Sequence, residues 1–191
     1  TRALGLIVSP DGLVITHGHM QSDKSDPSNI RVVVGEGEEE KEYDGIFLKK
    51  PEDINVCFVR ILAEEGERFP SVNFSAGTEP QLGQRLLLFG IMGESLDFAR
   101  GALMRMISAV LEKPRATYCL DEAIPFGYVG APVIDAQGRI VGVVGYDLAV
   151  SEGGELYVRS GHPLVYQASL FSKYITNPPT EDTLDTDMPD A

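Results

Sequence analysis

The stretch Asp121-Glu-Ala-Ile-Pro-Phe-Gly127-Tyr-Val129-Gly130-Ala-Pro132-Val is the most specific in the chain. It lies between two short apolar runs, 116–120 and 132–134, that read as strands. The second run leads into Asp135-Ala-Gln-Gly138, a turn signal, and then into another apolar run at 140–146, so this part reads as a hairpin.

The same alternation of short apolar runs and turn signals extends outward in both directions. Residues 4–8 end at Ser9-Pro-Asp-Gly12, and a strand resumes at 13–16, which makes 3–16 a hairpin. Strands follow at 29–34 and 42–48, with an acidic turn between them, and at 55–61. A loop rich in Glu, Pro and Ser at 63–81 separates two half-domains. Strands then return at 85–90, 100–110, 116–120, 132–134, 140–146 and 155–158. The spacing of Leu164, Ala168, Phe171 and Tyr174 predicts one helix over 163–175. The tail 176–191 is acidic, Pro-rich and poor in apolar residues, so it is expected to be disordered or a linker. Many short strands with one late helix imply an all-β architecture of barrels.

Composition narrows the function classes. The chain has 191 residues, 43% of them hydrophobic, which is enough for a sizeable core. Its formal net charge of −13 argues against a phosphate-binding surface and against anionic membranes. No apolar stretch approaches the length of a membrane span. Thr1 leads directly into a β-like run without the pattern of a secretory leader, which is compatible with a leader removed from a longer precursor. Cys57 and Cys119 lie in apolar runs and are expected to be buried free thiols. With only three histidines, a multi-histidine metal site has little to draw on. His17 and His19 would share one face of a strand, and His162 is the only further imidazole. The blander reading is preferred for all three, and neither a metal nor a cofactor is expected.

The runs Gly5–His19, Pro51–Val56 and 121–133 together resemble HtrA-type serine proteases of the chymotrypsin fold. Gly5-Leu-Ile-Val-Ser-Pro-Asp-Gly-Leu-Val-Ile-Thr-His-Gly-His19 resembles the first hairpin of that family, which ends on the catalytic histidine. Pro51-Glu-Asp53-Ile-Asn-Val resembles the segment that begins with the catalytic aspartate. The stretch 121–133 resembles the segment around the nucleophile and keeps Asp121, Ala123, Ile124, Gly127, Gly130 and Pro132. Residues 82–90 and 135–143 agree with flanking segments, so the resemblance runs from about residue 4 to residue 170. It implies two six-stranded-type β-barrels, about 1–62 and about 80–160, with a C-terminal helix. It also implies His19 and Asp53 as triad equivalents, and Gly127 and Val129 as the backbone donors of an oxyanion hole.

At the nucleophile position this sequence has Val129, which offers neither a proton nor a lone pair for attack. Tyr128 stands where the family has Asn. Ala131 stands where it has a second Gly, and would be strained if that position needed a positive φ. The expected function is therefore a degenerate protease homologue, a pseudoprotease, that binds a peptide or protein partner. The old cleft would offer strand addition near Glu155-Leu-Tyr-Val-Arg159. The alternatives are a hydrolase of another mechanism and an inactivated form of an active endopeptidase. The resemblance further implies a trimer or an assembly with active homologues, in an extracytoplasmic or organellar compartment.

Overall fold

The computed structural model of the chain describes residues 3–21, 29–35, 39–51, 54–112, 116–150 and 156–181, without the side chains of 147–150 and 156–160. It contains two β units in sequence. The first is built from β1 (Leu6–Ile7), β2 (Leu13–His17), β3 (Ile30–Val34), β4 (Lys41–Phe47) and β5 (Val56–Leu62), in the spatial order β1-β2-β5-β4-β3. All its pairings are antiparallel. Among the described residues this sheet has five strands and is open, where six strands were expected: β1 supplies two residues, and no described strand joins it to β3.

The second unit is a closed six-stranded barrel. Its strands are β6 (Arg85–Ile91), β7 (Arg100–Leu111), β8 (Thr117–Leu120), β9 (Pro132–Ile134), β10 (Ile140–Val150) and β11 (Leu156–Gln167), in the closed order β10-β11-β8-β7-β6-β9. Closure leaves this unit without an open sheet edge. The hairpin turn at Asp135–Gly138 forms as the sequence predicts: the Asp135 carboxylate accepts from the Gln137 and Arg139 backbone N–H groups, both at 2.9 Å. Gly138 takes a φ of 76°, which glycine adopts without strain.

The expected helix over 163–175 is only partly present. β11 continues through Pro163 to Gln167, a short 3-10 turn follows, and helix α1 spans Ser172–Thr176. Leu164 and Val165 pair with Cys119 and Tyr118 on one side and with Gly145 and Val144 on the other. A strand placed between two neighbours satisfies its backbone groups and buries both faces, which overrides a helical spacing of apolar residues. In the segment expected to be a tail, the Lys49 N–H donates to the Thr180 carbonyl at 2.8 Å, and Glu181 forms a bridge with Leu48.

The two units share a core. All five residues of β2 are buried because its two faces meet different clusters. Val14 joins Phe47, Cys57 and Val59 inside the first sheet. Leu13 and Ile15, with Val56 and Phe58 of β5, face the other way, against Val143, Tyr166 and Phe171. Phe171 is fully buried in that seam and meets the Phe74 ring edge-on at 5.5 Å. Truncating it would leave a cavity where the two units join. Phe171→Ala is expected to cost about 3–5 kcal/mol of unfolding free energy, measured by urea denaturation, with both units melting together.

Candidate functional site

The end of β2 meets the second barrel through His17, which is fully buried. Its Nε2 lies 3.1 Å from the Tyr146 carbonyl oxygen and 3.3 Å from the Tyr146 backbone nitrogen. The ring packs so tightly on β10 that a Cβ at Gly145 would collide with it. Asn55, at the start of β5, brings its amide to 3.4 Å from the same nitrogen and to 3.3 Å from the Tyr146 carbonyl. Because β2 and β5 are in register from Leu13↔Arg60 to His17↔Val56, this corner is held by a continuous backbone ladder.

After His17 the chain turns through a 3-10 segment, Gly18–Met20, which carries His19. The two imidazoles face each other, with Nδ1 to Nδ1 at 2.7 Å. His19 Nε2 is buried and has no hydrogen-bond partner among the described residues. Lys50 approaches from the side and donates to the Gly18 carbonyl at 3.0 Å. Burial, followed by the charge on His19 and on Lys50, pushes the His17 imidazole down to about 3, against an opposing pull from its bond to Tyr146. His19 is lowered too, first by desolvation and then by Lys50.

The second barrel contributes the loop between β8 and β9. Phe126–Tyr128 forms a 3-10 turn, in which the Val129 N–H donates to the Phe126 carbonyl at 3.0 Å and the Tyr128 N–H to the Pro125 carbonyl at 2.9 Å. Phe126 is exposed and meets the His19 ring edge-on at 5.0 Å. Val129 points into the barrel core and is 1% exposed. Gly130 takes a φ of 90° and lies so close to the Leu4 carbonyl, Thr16 and His17 that any side chain there would have to displace them.

Tyr128 anchors this loop. Its ring is fully buried over Gly90 and Gly101, which are paired across β6 and β7, and a Cβ on either glycine would strike it. The Tyr128 hydroxyl is buried without a partner among the described residues, so shape holds the ring there. A second tyrosine ties down the loop start: the Tyr146 hydroxyl accepts from the Ile124 N–H at 2.9 Å and donates to the Ile124 carbonyl at 3.0 Å.

Of the residues singled out in the sequence, the structure thus brings His19 and the Gly127–Val129 turn to one corner, and Asp53 lies outside the described residues. The strain expected at Ala131 is absent. The positive φ belongs to Gly130, while Ala131 is buried with its N–H donating to the Tyr128 carbonyl at 2.9 Å. Cys57 and Cys119 are free thiols; Cys57 is buried and Cys119 half-buried. Burial pushes Cys57 up to about 12 and raises Cys119, so neither supports a thiolate. Among the described residues no group of three His, Cys, Asp or Glu side chains converges as a metal site. His17 and Asn55 are the members of the corner that sequence reasoning missed as participants. The only signal was the His-Gly-His spacing.

A family model described as a trypsin-like peptidase domain matches residues 3–143. The apo crystal structure of the MamO protease domain from Magnetospirillum magneticum superposes with a TM-score of 0.66. It is 20% identical, and the match covers 90% of this chain and 87% of that one. At this identity the likeness concerns the fold, and it is the two-barrel fold implied by the sequence resemblance. Among curated protein sequences nothing matches.

The buried His17 makes stability depend on pH. Its folded-state pKa of about 3 lies below its ordinary value of 6.5, so between those values the unfolded chain binds more protons. The stabilisation is complete above pH 6.5 and is lost as pH falls towards 3. At pH 5 the loss from this group is about 2 kcal/mol. Urea titrations at pH 7 and pH 5 should show that drop, and His17→Gln should reduce it.

Proposed function

The chain belongs to the trypsin-like peptidase family, and we propose that it is a member that has lost hydrolysis and uses its cleft to hold a peptide or protein partner. The observation that carries this reading is Val129. It occupies the position where the family motif has its nucleophilic serine, its side chain is aliphatic and buried, and its N–H is already bonded to the Phe126 carbonyl. Loss of such a nucleophile costs on the order of 10⁶ in turnover, roughly 8 kcal/mol of barrier. A backbone donor turned inward also does not stabilise an oxyanion.

Neither Cys57 nor Ser108 supplies a substitute. The Cys57 thiol is buried and held protonated, and the Ser108 hydroxyl, on the second barrel, donates to the Cys119 carbonyl at 3.3 Å. What the corner does offer a partner is the exposed Phe126 ring beside His19, an anchor of the type that dominates protein interfaces. The finer assignment to the HtrA type rests on the Gly5–His19 and 121–133 motifs, and an extracytoplasmic or organellar site would follow from it.

Three measurements test this reading. The purified chain should not cleave casein and should not be labelled by a fluorophosphonate probe. Val129→Ser alone should remain essentially inactive, because the Tyr128 wedge still holds the turn that uses the residue 129 N–H. Val129→Ser combined with Tyr128→Asn should exceed the single variant, as misplaced oxyanion donors cost about 10²-fold. Robust cleavage by Val129→Ser would instead identify a recently inactivated protease with an intact site. Casein should bind without being cut, and Phe126→Ala should weaken that binding about 5-fold, as read by fluorescence anisotropy. Binding unchanged in that variant would remove the cleft from the proposal.

A further inference from the structure

His17 is a fully buried titratable side chain at the centre of the corner, at a position that the family motif does not mark as functional. Its contacts determine where its proton sits. A backbone N–H faces each ring nitrogen at 3.3 Å, that of His19 at Nδ1 and that of Tyr146 at Nε2, so the remaining contacts decide. Nε2 also faces the Tyr146 carbonyl at 3.1 Å, the shorter contact, which favours the proton of a neutral His17 on Nε2. The 2.7 Å contact between the two Nδ1 atoms needs one hydrogen, and it must come from His19.

The opposite arrangement is poorer. With the proton on His17 Nδ1, two N–H groups would face each other at 3.3 Å, and a bare Nε2 would face the Tyr146 carbonyl at 3.1 Å. Its gain would be the Tyr146 N–H at 3.3 Å and the Asn55 amide at 3.4 Å. The Asn55 amide already has the Tyr146 carbonyl as an acceptor at 3.3 Å. The shorter contacts therefore select Nε2–H on His17 and Nδ1–H on His19, which leaves the lone pair of His19 on its buried Nε2.

We propose that His17 is the positioning residue of His19: it accepts the Nδ1–H of His19 and fixes both the tautomer and the ring orientation, leaving Nε2 as an unprotonated acceptor beside the Phe126 ring. In the family's triad this is the task of a carboxylate. An imidazole performs the orienting half of that task. Being neutral, it does not perform the other half, the stabilisation of an imidazolium. The His19 Nδ1–H is directed at His17, whose Nδ1 lone pair is shared between this hydrogen and the His19 backbone N–H. This assignment does not depend on whether the cleft binds a partner.

The test is long-range 1H–15N correlation NMR of the full chain labelled at histidine, near pH 7.5. The three histidines give few enough signals to assign by single substitution. His19 should be protonated at Nδ1 and bare at Nε2. Asp53→Asn should leave that pattern unchanged. His17→Leu should abolish it, moving His19 to Nε2–H or to a mixture. His17→Gln should preserve it, because its side-chain carbonyl can accept the same hydrogen. A wild-type His19 protonated at Nε2, or a tautomer change in Asp53→Asn, would overturn the assignment. Those two measurements decide the matter even if His17→Leu does not fold.

Discussion

The corner depends on one packing constraint: the imidazole of His17, carried by the first sheet, is pressed against the backbone of Gly145 and Tyr146 in the second barrel. Glycine at 145 is what permits the approach, since any Cβ would fill the space the ring occupies. The carbonyl that caps Nε2 belongs to β10, which is paired with β9 on one side and β11 on the other. Two units that could otherwise shift against each other are registered at this point by a directional bond within a tight contact. Desolvation makes that bond costly to protonate and costly to lose.

A second constraint shapes the loop that faces it. Tyr128 can be buried only because β6 and β7 present a facing pair of glycines, Gly90 and Gly101, where most antiparallel pairs would carry side chains. Once the ring is seated, the backbone from Pro125 to Ala131 turns tightly: the Tyr128, Val129 and Ala131 N–H groups bond to carbonyls of the same turn, and the Gly130 N–H donates to the Val144 carbonyl of β10. The Val129 N–H is thereby bonded within the turn, whereas His19 Nε2 has no partner among the described residues. An aromatic ring, Phe126, is left at the surface.

Much of the fold was legible because its signals are local. Ser9-Pro-Asp-Gly12 and Asp135-Ala-Gln-Gly138 are turns whose side chains bond their own backbone, and both form hairpins where the sequence places them. The continuous apolar runs of β2 and β5 are strands sandwiched between two clusters. The same logic misled the reading of 163–175. Leu164 fits a helical stripe with Ala168, Phe171 and Tyr174, but neighbours distant in sequence, β8 and β10, supply the hydrogen bonds that make the run through Gln167 a strand. A short apolar run does not reveal its partners.

The sequence by itself determined what chemistry the corner lacks. A valine at 129 has no hydroxyl in any conformation, and this holds before a single coordinate is known. Tertiary structure alone decided what took the place of that chemistry. That His17 reaches His19 Nδ1, that Gly130 rather than Ala131 takes the positive φ, and that Tyr128 finds two glycines beneath it are facts about residues far apart in the chain. They depend on distances of a few ångströms between separate strands. Side-chain composition sets which bonds a group is able to make, and only packing sets which of them it does make.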